Sequence, residues 1–167
     1  MYTKFKNEFI YIDMYILLAF IFYLQYISCI YIKVLHTPII SYISYLKLHH
    51  LIVLTNDKKN LYTIDFTPIR QTDLKTKILL LLNYNVSAEI RIKNIINSNY
   101  DDDLDIIKKW STQETSETQI ITKKNMKSIH DREIKKIIMK TLNWDSQMNL
   151  YTNNCQHFSS ALLSGKL

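Results

Sequence analysis

Glycine is almost missing from this chain. One Gly and two Pro occur in 167 residues, against twelve Tyr. Ile, Lys and Asn are also abundant; their codons are AT-rich, whereas those of Gly and Pro are GC-rich. The bias points to a compressed AT-rich genome, such as that of an organelle (a plastid, for example), an endosymbiont or a large DNA virus. Cysteine is scarce as well. Cys29 and Cys155 are the two in the chain, too few for a disulfide framework, and a free thiol in a reducing compartment is the simpler reading. The formal net charge is +6, but the lysines are scattered. No basic run with interleaved aromatics and no zinc-finger spacing is present, so nucleic acid is not an expected partner. No paired metal-ligand spacing joins His49, His50, Cys155 and His157, which argues against zinc. The acidic cluster Asp101, Asp102, Asp103 and Asp105 lacks the Gly and the terminal Glu of a hand-type calcium loop, and reads as a solvated turn. Neither a metal nor a cofactor is expected.

What is present is enough apolar residue for one domain with a core. Hydrophobic residues make up 47% and charged residues 22%, which excludes a disordered polar chain. Residues 14–32, MYILLAFIFYLQYISCIYI, carry no charge. At about 1.5 Å per residue, a helix of that length nearly spans a hydrocarbon core of about 30 Å. Tyr11, Tyr15, Tyr26 and Tyr31 fit the interfaces. No small-residue cleavage site follows, so the run is not a removed signal peptide. Residues 1–46 are therefore expected to be an N-terminal, single-pass membrane anchor. Residues 39–46 lie against the membrane or open the folded domain.

Residues 47–167 form the expected folded domain. Residues 49–55, HHLIVLT, read as a buried strand, and residues 61–66, LYTIDF, as its hairpin partner across the polar turn NDKKN. Residues 72–83 are a helix or a buried segment. Residues 86–92, VSAEIRI, alternate as a strand with Val86, Ala88, Ile90 and Ile92 on one face. A short helix leads to Trp110, and Ile120 and Ile121 mark a short strand in a polar loop. Residues 128–143 are the clearest helix, capped by Ser128, with Ile134, Ile137, Ile138 and Leu142 as its stripe. A last helix begins near Cys155, buries Phe158, Ala161 and Leu162, and ends at Gly165. Trp110 and Trp144 are assigned to the core or a membrane face, with no chemical role.

The stretch YTNNCQHF carries the chemistry. Asn153 or Asn154 is a good N-cap, which puts Cys155 in the first turn of a helix, where the dipole favours a thiolate. A nucleophilic thiol also needs a base. His157 lies two positions along the helix and points away from Cys155, so the base comes from elsewhere. His49 and His50 open the hairpin, and the partner strand carries Asp65, which is placed to hold one imidazole nitrogen and stabilise the imidazolium. From the residues alone, either histidine qualifies.

NNCQHFSSAL resembles the NCEHFV signature of the lecithin:retinol acyltransferase family, in the circularly permuted branch of the papain-like NlpC superfamily. Asn154, Cys155, His157 and Phe158 match, and Gln156 replaces the acidic residue. HLIVLTNDKKNLYTIDFTP, residues 50–68, resembles that family's histidine hairpin. The resemblance implies an α+β permuted papain-like (NlpC-type) domain with an antiparallel sheet and a C-terminal Cys-bearing helix. It assigns His50 as the base, and Asp65 stands where the family usually has a second histidine. It departs from the family in lacking glycine in the hairpin turn and in carrying its apolar run before the domain. The implied function is a membrane-associated thiol acyltransferase or phospholipase. In it Cys155, His50 and Asp65 form a triad that works through a thioester acyl-enzyme, with a membrane phospholipid as acyl donor. The alternatives are a cysteine peptidase or amidase of the same fold, or a non-enzymatic membrane-bound binding module.

Overall fold

The computed structural model describes residues 30–37, 49–56, 60–96, 98–111, 118–122 and 126–167. Six strands, β1 (Tyr31–Thr37), β2 (His49–Thr55), β3 (Asn60–Pro68), β4 (Val86–Ile96), β5 (Thr118–Ile121) and β6 (Gln147–Met148), form the sheet. Its order is β1-β2-β3-β4-β5, with β6 beside the start of β4, and every pairing is antiparallel. Four helices complete the described residues: α1 (Leu74–Leu81), α2 (Asp103–Ser111), α3 (Arg132–Thr141) and α4 (Cys155–Leu163). The class is α+β with an antiparallel sheet, as expected.

Both faces of the sheet are covered. Even-numbered positions of β2 and β3 (Ile52, Leu54, Tyr62, Ile64 and Phe66) pack with Ile134 and Ile138 of α3 and Phe158 and Leu162 of α4. Odd-numbered positions (Leu51, Val53 and Leu61) pack with Leu35 of β1, Ile95 of β4 and Ile106 of α2. The alternation is that of any strand, but here each side has a helical lid. All of Leu51, Ile52, Val53 and Leu54 are fully buried.

The hairpin and the strand at Val86 stand where the sequence put them, and β4 runs on to Ile96. Residues 72–83 resolve to a helix whose leucines are largely exposed rather than buried. Helix α3 starts later than expected. Its N-cap is Asp131, whose carboxylate accepts the Ile134 N–H at 2.7 Å, while Ser128 ends a short 3-10 turn. Asp131 also takes a hydrogen bond from Asn56 at the end of β2, and this second partner favours it over Ser128 as the cap.

Most of the expected membrane run, residues 14–29 including Cys29, lies outside the described residues, as do residues 39–46. Its last two residues, Tyr31 and Ile32, open β1. That strand pairs along its length with β2, from Tyr31↔Thr55 to Thr37↔His49, so the sheet begins before the expected boundary at residue 46. Among the described residues no helix is long and apolar enough to cross a membrane.

Phe158 ties α4 to the sheet, with ring centroids 5.9 Å from Phe66 and 5.6 Å from Trp144. Phe158→Ala leaves a cavity between all three, and is expected to lower unfolding free energy by about 3–5 kcal/mol in a urea titration.

Candidate active site

Cys155 is the first residue of α4. Asn154 is the N-cap; its side-chain oxygen accepts the N–H groups of Gln156 at 2.9 Å and His157 at 3.1 Å. An N-cap in an extended conformation followed by a polar first turn starts a helix abruptly, which holds Cys155 against the sheet. The thiol is buried, at 8% exposure. The approach to it is fixed by Asn149. The Asn149 side-chain oxygen accepts from the backbone of Tyr151 and Thr152, and its backbone exchanges hydrogen bonds with Asn153 at 2.9 and 3.2 Å.

The histidine that meets Cys155 is His49, not His50. His49 hydrogen-bonds with Cys155 and, through Nε2, with Asp65 Oδ2 at 3.2 Å. The His50 side chain points elsewhere. Its Nδ1 lies 2.7 Å from Ser159 Oγ, one turn further along α4. Since Ser159 O–H donates to the Gln156 carbonyl, Nδ1 of His50 carries the hydrogen in that contact. Parity puts His49 and Asp65 together on the odd face, covered by α2, and His50 on the even face with Ile52, where its ring meets Ser159 of α4. The backbone of His50 does reach the site: its N–H donates to the Cys155 sulfur, as does the N–H of Cys155 itself. This is open to it because β2 pairs with β3 over Ile52–Leu54, short of the two histidines.

Asp65 is 1% exposed and is held by more than His49. It pairs in register with Arg91 on β4. Arg91 donates to the same oxygen, from Nη2 at 2.6 Å and Nε at 3.3 Å. Trp110 of α2 covers the group. Its ring stacks on His49 at 5.8 Å and lies 5.8 Å from the Arg91 guanidinium, and its carbonyl accepts Lys93 Nζ at 2.5 Å. Sequence alone assigns no role to Arg91 or Trp110. Arg91 falls at a polar position of the VSAEIRI alternation, so the strand itself carries no signal of its buried partner on β3.

The electrostatics form a chain. Burial works against charge on Asp65, yet the hydrogen bonds from His49 and the charge of Arg91 keep its carboxyl below the usual range. Burial likewise opposes the His49 imidazolium. Hydrogen bonds to Asp65 and Cys155 outweigh it and raise His49 from 6.5 to about 9. For Cys155, burial pushes the thiol up, and the His49 hydrogen bond and charge, with the two backbone N–H donors, bring it below 9.0. The three shifts all favour a thiolate–imidazolium pair backed by a buried carboxylate. His50 moves the other way; burial and the neighbouring His36 and His49 lower it. His157 is exposed, with Nδ1 2.9 Å from Asn154 Oδ1, and takes no part. Among the described residues no group of three or more His, Cys, Asp or Glu side chains is arranged to hold a metal.

The signs of these shifts set the pH behaviour. A raised His49 contributes stability that is complete below about 6.5 and is lost as pH rises through about 9. Asp65 contributes stability above 3.8 that is lost as pH falls through its lowered value. Cys155 alkylation by iodoacetamide is expected to inflect below pH 9.0. In His49→Ala the inflection rises to 9.0 or above, since burial is then unopposed by the imidazolium, and the rate at neutral pH falls at least about tenfold. His50→Ala retains the low inflection; equal effects of the two substitutions would refute the pairing.

No family model matches this chain, and no curated protein and no solved structure matches it.

Proposed function

We propose that this protein is a cysteine-dependent acyltransferase or hydrolase acting on lipid esters, with Cys155 as nucleophile, His49 as acid and base, and Asp65 as the residue that orients His49. The observation that carries the reading is the continuous hydrogen-bonded chain Cys155–His49–Asp65, with the sulfur at a helix start. A thiol, an imidazole and a buried carboxylate in that order are the parts a thiolate nucleophile needs. The order along the chain, histidine strand before cysteine helix, agrees with a permuted papain-like domain. The match of NNCQHF to the lecithin:retinol acyltransferase signature favours a phospholipid acyl donor. In this reading His49 takes the role that the resemblance assigned to His50.

The chemistry follows from the charges. The Cys155 thiolate attacks the ester carbonyl carbon, forming the C–S bond and placing the electron pair on the carbonyl oxygen. The N–H groups of His50 and Cys155, which donate to the sulfur at rest, are the nearest donors for that oxyanion. As the tetrahedral centre collapses, the C–O bond breaks and the His49 imidazolium gives its proton to the departing alcohol. His49, now neutral, takes a proton from water or another acceptor. The acceptor attacks the thioester and releases the thiolate, with the proton back on His49. Asp65 keeps its charge throughout, so the imidazolium is stabilised twice in each turnover.

The test is intact-protein mass spectrometry of the detergent-solubilised full chain after incubation with mixed phospholipids. A hydroxylamine-labile acyl adduct is expected on the parent and not on Cys155→Ala. His49→Ala is expected to acylate at least about a hundredfold more slowly. Absence of any adduct on the parent, with the thiol still acidic, would sink the lipid-ester reading.

A further inference from the structure

Helix α1 is turned inside out. Leu74, Ile78 and Leu81 recur at i, i+4 and i+7, the spacing that a globular helix buries against its core. Here they are 70%, 46% and 67% exposed, and the buried residue of the helix is Thr76. The helix meets the sheet through partly buried Leu79 and Leu80. The exposed face continues on both sides, through Ile69 before the helix and Leu82 and Tyr84 after it, each more than half exposed. Six large apolar side chains in sixteen consecutive positions exceed the scattered exposure of an ordinary surface. Cations outnumber anions among them. Arg70, Lys75 and Lys77 are exposed cations, and the one carboxylate, Asp73, is turned into the helix cap, accepting from Lys75 N and Thr76 N at 3.3 Å.

The patch is tied to the nucleophile. Helix α1 ends with Asn83 in the left-handed region at φ 65°, and Tyr84 N–H closes on the Leu79 carbonyl at 2.9 Å. The side chain of Asn149 then donates to the Asn83 carbonyl and to Asn85 Oδ1, both at 3.0 Å. Asn149 is the residue that organises the turn leading to Asn154 and Cys155. Tyr151, on that turn, is 61% exposed.

We propose that the outer face of α1, with the turns that flank it, docks this protein on an anionic lipid bilayer. Ile69, Leu74, Ile78, Leu81, Leu82 and Tyr84 enter the acyl–headgroup boundary, and Arg70, Lys75 and Lys77 contact the anionic headgroups. A helix with apolar residues on its outer face and cations beside them lies in the plane of a membrane interface. The exposed cations beside the apolar face complement a layer of anionic headgroups. The docking stands on this surface alone; its bearing on Cys155, as the route by which ester lipids reach the thiol, rests on the acyl-transfer reading.

The test uses the full chain with Cys29→Ser and Cys155→Ser, so that no acyl chemistry is involved and failure of the enzymatic reading leaves the result intact. A bimane label is placed on Leu82→Cys or, as a control on α3, on the exposed Met139→Cys. Vesicles are phosphatidylcholine alone or with about a third phosphatidylserine. A blue shift at the Leu82→Cys label on the anionic vesicles is expected, with none at Met139→Cys. Lys75→Glu with Lys77→Glu is expected to weaken the partition at least about tenfold. Both lysines are exposed, and circular dichroism verifies that the variant folds. No shift at Leu82→Cys overturns the proposal. So does an equal shift at Met139→Cys, which means non-specific adsorption, or an equal shift on neutral vesicles. A shift that grows with protein concentration without lipid assigns the face to a second copy of the chain instead.

Discussion

Asp65 is the group on which the site depends. A carboxylate removed from water is stable in ionised form only if donors and cations replace its hydration. Arg91 and His49 do so on one oxygen, Oδ2. The β3–β4 register puts Arg91 directly opposite Asp65, so the strand pairing that builds the sheet also neutralises its buried charge. Trp110 lies against both cations and makes the surroundings drier, which strengthens each contact. Removing Asp65 would leave Arg91 and His49 as two cations facing each other under that ring. The Cys155 sulfur is then the last link of a chain that runs guanidinium, carboxylate, imidazole, thiol, in which each group favours the charge of the next.

The two adjacent histidines divide the work because a strand sends neighbours to opposite faces. His49 faces the charge chain. His50 holds Ser159 of α4 at 2.7 Å and so fixes the helix that carries the nucleophile. It also lends its backbone N–H to the sulfur. One residue sends its ring to Asp65 and Cys155, and the next sends its ring to the helix that carries Cys155. The opposite shifts of their pKa values follow from the same arrangement. Burial first, and then the charges of His36 and His49, lower His50, so the imidazolium that Asp65 and Cys155 favour at His49 opposes a second cation beside it.

The sequence was informative where one face of an element differs from the other. VSAEIRI alternates, and it is a strand; the Ile134–Leu142 stripe repeats at helical spacing, and it is a helix. The hairpin and the capped cysteine helix were legible for the same reason. HHLIVLT has no such contrast. Helices cover both sides of the sheet at β2, so every residue from Leu51 to Thr55 is buried, and a uniformly apolar run carries no phase. The choice between His49 and His50 is a choice of phase, which is why the residues left it open and why alignment to a family motif selected the neighbour whose ring meets Ser159. Arg91 escaped notice because its partner lies on another strand, and pairing register is not written in either strand alone. The leucines of α1 misled in the opposite sense: spacing identifies an apolar face but not which way it turns.

The shortage of glycine has a structural counterpart in the asparagines. Turns and helix ends need a residue that enters the left-handed region, and Gly does so most readily. This chain has one, Gly165, which closes α4 at φ 69°. At the end of α1 the same position is filled by Asn83, whose short polar side chain tolerates that conformation. Asn149 organises the turn before the nucleophile through side-chain hydrogen bonds that a glycine lacks, and Asn154 starts the helix. An excess of Asn that reads as codon bias therefore supplies the loops of the site with fixed geometry. A glycine turn would leave the chain more freedom to lose on folding. Asn149 instead couples the end of α1 to the approach to Cys155, so the surface helix and the reactive sulfur are positioned by one side chain.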